Sequence, residues 1–393
     1  MENGDMENQS NSSEVLRVGV ETETKSVKSC VELHGALHMY SGNGDASYAE
    51  NSTRQRYVFH VLQPLFKAAM EKLIIPKEGP IRIADLGCAT GLNTILDVGF
   101  VMRTLTNLCI GSEVTVPQFQ VFHSDLPSND FNGLFNLLVK TTCPYFVAGV
   151  PGSFYNVLFP NSSIHVCFSI MALHWISEVP EAVVDKDSPF YNRGNVWINR
   201  GRQDTADIYS KQSQEDLTTF MKSRAMEIAP GGILFVCLMG RPDSSPPTQQ
   251  VSVEGEFCGQ DFEDAWDDLV TQGFVSLDLR DSFNLPWYFP NSSEVRKAVE
   301  ECGAFEIETM EVCQGVPSMS EEEFEHWVKN PNMFAKMKAN LVKSFVGSLV
   351  EAHIGIECSE MLFQRFEQRA AALLHSSPPS RFVTCTVASL IRK

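Results

Sequence analysis

The sequence lacks a long apolar run. Nothing approaches the ~18–20 consecutive apolar residues that a membrane-spanning helix needs, and the longest such stretch, 232–240, is of strand length. It lacks basic charge: 31 Lys and Arg stand against 49 Asp and Glu, a net charge of −18. So acidic a chain is repelled by phosphate backbones and anionic bilayers, which argues against nucleic-acid and membrane partners. It lacks paired cysteines, because the eleven are scattered and none has C-x-x-C spacing. They read as reduced thiols rather than a disulfide framework. The nine histidines form no H-E-x-x-H pair, which argues against a zinc enzyme. The opening MENGDMENQSNSSE has neither a basic start nor an apolar segment. No secretory signal is read there, and the expected location is cytoplasmic.

What is present is 43% hydrophobic content over 393 residues, enough to bury a large core. Residues 1–30 are polar and read as a flexible tail. From Pro80 strands alternate with helices. PIRIADLG is a strand ending in a Gly-rich turn, and 92–107 has helical spacing. PQFQVFHSDLP and IHVCFSIMAL read as strands, and 129–138 and 213–229 as helices. The second of these helices is expected to stop at Pro230-Gly231-Gly232, and GILFVCLMG then suits a strand buried on both faces. This alternation predicts an α/β fold with a parallel, doubly wound sheet. The core is expected over 31–253, including an N-terminal lid segment. A mainly helical cap is expected over 254–380, with helices at 261–272, 292–302, 333–352 and 357–374 and a strand at 304–312. The closing 381–393 is expected to rejoin the sheet as an edge-side partner of 304–312.

Ligands in such sheets bind beyond the carboxyl ends of the strands, where the candidate motifs fall. Asp85-Leu86-Gly87-Cys88-Ala89-Thr90-Gly91 is a D-x-G-x-x-x-G turn, the usual mark of S-adenosylmethionine binding, whereas Cys88-Ala89 breaks a dinucleotide fingerprint. Gly87 and Gly91 let the backbone approach a ligand. Asp125 ends the next strand, where an acid reaches a ribose diol. Asp130 reads as a helix-start charge. In GVPGSFY, Ser153 and Phe154 read as flanking an adenine ring, with an ordinary turn as the alternative.

Seven motifs in one order, from LHMYSGNGDASYAENSTRQ through ADLGCATGLNT, SDLPSNDFN, GVPGSFYNVLFP, LHWISEVPE and YNRGNVWI to FNLPWYFP, resemble the plant SABATH methyltransferases, the salicylate, benzoate and caffeine type. The resemblance spans about 33–393 and is strongest to members that methylate indole-3-acetate and gibberellins. It implies a Rossmann-like S-adenosylmethionine-dependent core under a helical cap. It places Tyr48, Ser52, Gly87, Cys88, Asn93, Asp125, Leu126, Ser153 and Phe154 at the cofactor. Gln55 and Trp175 fall on the pair that hydrogen-bonds the substrate carboxylate. Met171, Leu173, His174, Val342, Phe345 and Phe382 fall on the acyl pocket. Asn192, Asp281, the Phe283 carbonyl and Asn284 match positions assigned to magnesium in relatives. All four offer oxygen, as magnesium prefers, and a structural Asn/Asp cluster explains them equally well. Tyr40 replaces the usual Lys or Asn near the cofactor site. Met171 replaces an aromatic and leaves room for a bulkier acid. A homodimer is expected from the resemblance alone.

The implied activity is carboxyl O-methylation of a small acid, with indole-3-acetate or a gibberellin favoured over benzoates, salicylate, cinnamates or jasmonate. A carboxylate is ionised at neutral pH, so no general base is required and no catalytic side chain is assigned. Positioning can lower the barrier by ~7–11 kcal/mol at best. Purine N-methylation and a hormone-binding protein without turnover are the alternatives.

Overall fold

The computed structural model describes residues 35–42, 44–141, 144–251, 258–374 and 380–393. The expected tail 1–30 and the expected core–cap boundary at 253/254 lie outside them. Seven strands form one sheet: β1 (Ile81–Leu86), β2 (Phe119–Asp125), β3 (Phe146–Pro151), β4 (Ile164–Ile170), β5 (Ile228–Met239), β6 (Phe305–Pro317) and β7 (Phe382–Arg392). Their order is β3-β2-β1-β4-β5-β7-β6. The first five pair in parallel, as alternating strand and helix predicts. β7 is antiparallel to both β5 and β6. The closing strand is therefore interior and β6 is the edge, where the sequence pointed to an edge-side position. Cys385, Val387, Ala388 and Leu390 of β7 are all buried, which needs a strand covered on both faces, whereas β6 is largely exposed or half-buried.

The described helices are α1 (Tyr48–Asn51), α2 (Thr53–Met70), α3 (Leu92–Gly111), α4 (Phe131–Lys140), α5 (Glu181–Val184), α6 (Gln203–Glu227), α7 (Gln260–Thr271), α8 (Leu277–Ser282), α9 (Ser292–Cys302), α10 (Glu321–Val328) and α11 (Pro331–Leu374). α6 ends at Glu227 and passes directly into β5, so Pro230-Gly231-Gly232 lies inside the strand. α3 is long and apolar enough to cross a membrane. Its Val98, Val101 and Leu105 are instead buried in the core shared with Ile83 and Val121 of the sheet, and the helix carries a buried Asp97.

Strand alternation divides the core. Ile81 and Ile83 of β1 and Phe235 and Cys237 of β5 join Phe66 of α2 on one face. Ala84, Leu86, Leu234 and Val236 join Leu217, Phe220 and Met221 of α6 on the other. The expected cap, 254–380, is split. α9, started by an Asn291–Glu294 capping box, packs Val295, Ala298 and Val299 onto α6, and with β6 it belongs to the sheet layer. α7, α8, α10 and α11 remain as the cap, held in part by Phe262 of α7 against Phe366 of α11. α11 breaks at Gly355 (φ 80°), between the two helices that the sequence predicts.

Phe66 is fully buried and stacks on Phe235 with ring centroids 4.2 Å apart. Phe66→Ala is expected to cost about 3–5 kcal/mol of unfolding free energy, read from the shift of a urea transition. A loss near zero would contradict this packing.

Candidate active site

The sheet order reverses between β1 and β4, and the chain leaving β1 and β2 there builds the first half of the site. Gly87 has φ +83°, and a Cβ added to it would fall 2.4 Å from Ala172 Cβ. Only glycine accepts both that conformation and that approach. At Gly91 the chain itself makes no such demand: its φ is −98°, and an added Cβ would meet Ala49 Cα at 3.4 Å, an ordinary contact. The backbone therefore demands glycine at Gly87 and not at Gly91.

The acids around this turn are braced. Asp125 Oδ2 accepts from the Ala89 amide and Oδ1 from the Leu126 amide, each at 2.8 Å. Asp85 is buried beneath the turn and accepts from the Thr94 hydroxyl, which lies 2.9 Å from His123 Nδ1. Asn93 donates to the Ser52 carbonyl and accepts from Arg56 Nε, both at 2.9 Å, which fastens the start of α3 to the lid. The Cys88 thiol is buried and its amide donates to the Ser124 carbonyl. Asp130 caps α4 through the Gly133 amide, the structural role read for it.

Phe154 lies beside Gly87 and packs edge-on against Phe220. Ser153 Oγ accepts from the Tyr155 amide at 3.3 Å. This loop hangs on a buried ion pair: Arg224 bonds Glu227 at 2.7 Å and donates to the carbonyls of Phe154 and Asn156. The sequence offered no sign of that support, because both residues sit on a helix remote from the motif.

Burial pushes the Asp85 carboxyl up to about 7, despite the opposing Thr94 bond, and Asp125 up to about 6. Asp97 is also raised by burial and then by Asp85. Burial, then Asp125, Asp97 and Asp85, raise the Tyr48 phenol, so it stays protonated. The residues fit S-adenosylmethionine on two observations: the bare backbone at Gly87, and three buried carboxylates, Asp85, Asp97 and Asp125, gathered about the turn, whose negative charge favours a ligand that carries a sulfonium and an ammonium. The ligand cation favours ionised carboxylates, while burial favours their protonated forms. Binding therefore releases protons and tightens as pH rises. Affinity for S-adenosylmethionine is expected to climb from about pH 5 to about pH 8, more steeply than affinity for the neutral-sulfur S-adenosylhomocysteine. Calorimetry across that range, giving equal slopes, would remove these carboxylates from the sulfonium's surroundings.

Next to this nest is a cavity of about 650 Å³ of empty space, mouth included. Gln55 and Trp175 line it together with Tyr48, Met171, His174 and Phe345. Gln55 comes from the first turn of α2 and Trp175 from the turn after β4. Met171 has φ +55° and its amide donates to the Cys237 carbonyl at 2.6 Å. Such a conformation is sparsely populated in non-glycine residues, and here it turns the chain from β4 toward the cavity. Tyr48 belongs to both halves, because it lines the cavity and feels the three carboxylates.

Three expected lining residues are absent from this wall. Leu173 is buried in the core on the opposite face of the sheet. Val342 is buried in the main core, and Leu341 and Phe345, one helical turn apart, present the lining face. Phe382 is 43% exposed under the Arg381 guanidinium, and Val383 lines the cavity in its place. Adjacent strand positions face opposite ways, so a one-residue error exchanges wall for surface. Arg54, Met239, Trp287 and Phe289 line the cavity without having been read as site residues. Trp287 and Phe289 lie within FNLPWYFP, and Met239 ends β5, so strand-end reasoning could have reached it.

Asn192, Asp281, Phe283 and Asn284 do come together, as a brace between two loops. Asn192 Nδ2 donates to Asn284 Oδ1 at 2.7 Å and to the Trp197 carbonyl. Arg280 Nε lies 3.1 Å from Asp281, which also accepts from the Gly194 amide. A guanidinium beside the one carboxylate and an amide on the Asn284 oxygen engage two of the four oxygens that magnesium would need, so these residues do not fit it as arranged.

Tyr40 fastens the lid to the cap. Its hydroxyl donates to Glu351, its amide to the Ser344 carbonyl at 2.9 Å, and its carbonyl accepts from the Tyr48 amide at 2.8 Å. Its ring occupies the space beside Gly347, where an added Cβ would fall 2.2 Å away.

The profile of the family described as SAM dependent carboxyl methyltransferase matches residues 34–393. Indole-3-acetate O-methyltransferase 1 of Oryza sativa subsp. japonica is 40% identical over 368 residues, covering 86% of this chain and 88% of the relative. Gibberellic acid methyltransferase 2 of Arabidopsis thaliana is 38% identical over 352 residues, covering 86% and 90%. The solved structure of loganic acid methyltransferase with SAH superposes with a TM-score of 0.80 at 28% identity, covering 90% of this chain and 98% of that one. With the Gly87 cradle, the adjoining acyl cavity and these matches together, the chain belongs to the S-adenosylmethionine-dependent carboxyl methyltransferases of the SABATH family.

Proposed function

We propose that this methyltransferase esterifies the carboxylate of a small plant acid, with indole-3-acetate and gibberellins as the leading substrates. The observation that carries this reading is the presence of Gln55 and Trp175 in one largely apolar cavity that Tyr48 joins to the cofactor turn. Gln55 and the Trp175 indole N–H are neutral donors. They orient a carboxylate without neutralising it, which leaves the oxygen nucleophilic. Bound S-adenosylmethionine supplies the electrophilic methyl group. Met171, Phe345 and Trp175 exclude water, so opposite charges attract strongly across the dry pocket. His174, whose pKa burial pushes down to about 3, stays neutral and adds no competing cation. Arg54 also lines the wall and, although burial holds its pKa down at about 10, stays charged at neutral pH, with the Glu323 carboxylate as the opposing charge that acts on it.

Incubation with methyl-labelled S-adenosylmethionine and a panel of indole, gibberellin, jasmonate, benzoate and purine substrates tests it. Labelled methyl esters are expected from carboxylic acids, and none from a methyl amide of the same acid, which lacks the ionised oxygen. Transfer to purine nitrogen with no ester formed would overturn the proposal.

A further inference from the structure

Orienting the carboxylate leaves part of the cavity's polarity unused. Trp287 is 3% exposed and lines the cavity, and its indole Nε1 is buried with no acceptor among the described residues. A buried indole N–H ordinarily finds one. His174 lines the same cavity, and its Nδ1 is likewise buried and unpartnered. The two are held in a fixed relation. Trp287 pairs with Trp175 in an antiparallel bridge. The Tyr288 amide donates to the His174 carbonyl at 3.0 Å, and the Ile176 amide to the Pro286 carbonyl at 2.9 Å. Trp197 Nε1 donates to the Trp287 carbonyl at 2.9 Å. Both rings pack on Phe289, at 5.4 Å for His174 and 6.4 Å for Trp287. The Trp287 N–H therefore cannot swing away to find a partner of its own.

We propose that Trp287 is a specificity-determining residue: its indole N–H, in a cavity that His174 also lines, holds a hydroxyl or carbonyl oxygen that the acid carries away from its reacting carboxylate. The inference rests on the carboxyl-methyltransferase reading and narrows its substrate class. Indole N–H is a donor only, so the group it meets must accept. The His174 ring that lines the same cavity is a neutral imidazole, which suits a neutral oxygen rather than a second carboxylate. Arg54, the cation in the lining, stands on α2 beside Gln55. An acid with no second oxygen leaves Trp287 unsatisfied, so oxygenated acids are preferred over their plain counterparts.

The test uses matched acids: a gibberellin bearing a ring hydroxyl against the same skeleton without it, and indole-3-acetate against its 2-oxo derivative. For wild type and Trp287→Phe, kcat/KM is measured, along with the dissociation constant of each acid for the S-adenosylhomocysteine complex. Wild type is expected to prefer the oxygenated member of at least one pair by about tenfold, the worth of one good hydrogen bond. Trp287→Phe lowers kcat/KM for that acid about tenfold more than for its partner, chiefly through KM. Equal losses for both members, or no preference by wild type, would overturn the proposal. Should the variant fail to fold, the wild-type binding preference decides alone. If no acid is methylated, the reading under Proposed function fails, while binding to the S-adenosylhomocysteine complex still decides the role of Trp287.

Discussion

Gly87→Ala is expected to abolish measurable S-adenosylmethionine binding, with loss of affinity of at least about a hundredfold. Two costs coincide at this position. The backbone is at φ +83°, which costs an L-residue roughly 1–2 kcal/mol. The new methyl would lie 2.4 Å from Ala172 Cβ, an overlap of the kind that costs about 1–3 kcal/mol to relieve by moving backbone. The relief has to come from the turn itself or from the 171–175 segment, and both line the site. Far-UV circular dichroism should remain near wild type, because β1 is paired on both sides, with β2 along its length and with β4 at Ile83–Asp85. Gly91→Ala, with an added Cβ in ordinary contact, should retain binding within a few fold. Titration of both variants by calorimetry decides the matter, and equal affinities would show that the turn does not discriminate between the two glycines.

The carboxylate clamp is expected to give the second large effect. Trp175→Phe keeps an aromatic ring against Trp287, whose centroid lies 5.1 Å away, and removes one donor. The backbone at this position is held independently by the Tyr155 hydroxyl, 2.7 Å from the Trp175 carbonyl. Gln55→Leu keeps size and removes the amide. Each should lower kcat/KM for the acid roughly ten- to a hundredfold, the worth of a hydrogen bond to a charged group at ~1.5–3 kcal/mol. S-adenosylhomocysteine affinity should hold in both. The double variant should lose less than the product of the single losses, since both donors serve one group. Wild-type turnover in both single variants would remove the clamp.

Four of the five parallel strands, the helices that follow them and the glycine turn after β1 were legible in the sequence for local reasons, whereas β3, whose end reads as a turn-rich loop, and α2 were not read. A parallel strand buried on both faces needs a nearly continuous apolar run, as 233–239 shows. A tight strand-to-helix turn needs glycine at its left-handed residue, so Asp85, Gly87 and Asp125 could be placed from neighbours a few positions away. The helix break at Gly355 and the place of Asp130 at a helix start were legible on the same grounds, while its capping bond was not read. The resemblance then brought Gln55 and Trp175 to one ligand, and the cavity contains both.

What the chain order could not supply depends on contacts between residues hundreds of positions apart. Tyr40 reads as an oddity until α11 brings Ser344, Gly347 and Glu351 against it. Arg224 and Glu227 look like helix-surface charges until their burial shows them suspending the Phe154 loop. Leu173, Val342 and Phe382 differ from Met171, Leu341 and Val383 by one or two positions, and only the packed molecule decides which of them faces the cavity. β7 is a strand by its pattern alone, yet its place between β5 and β6 was set by which neighbours could cover its two apolar faces. Local chemistry thus determined the elements and the cofactor turn. Tertiary packing decided the acyl wall, because a side chain's exposure to a cavity is a property of every surface that meets there, and one residue of register is enough to reverse it.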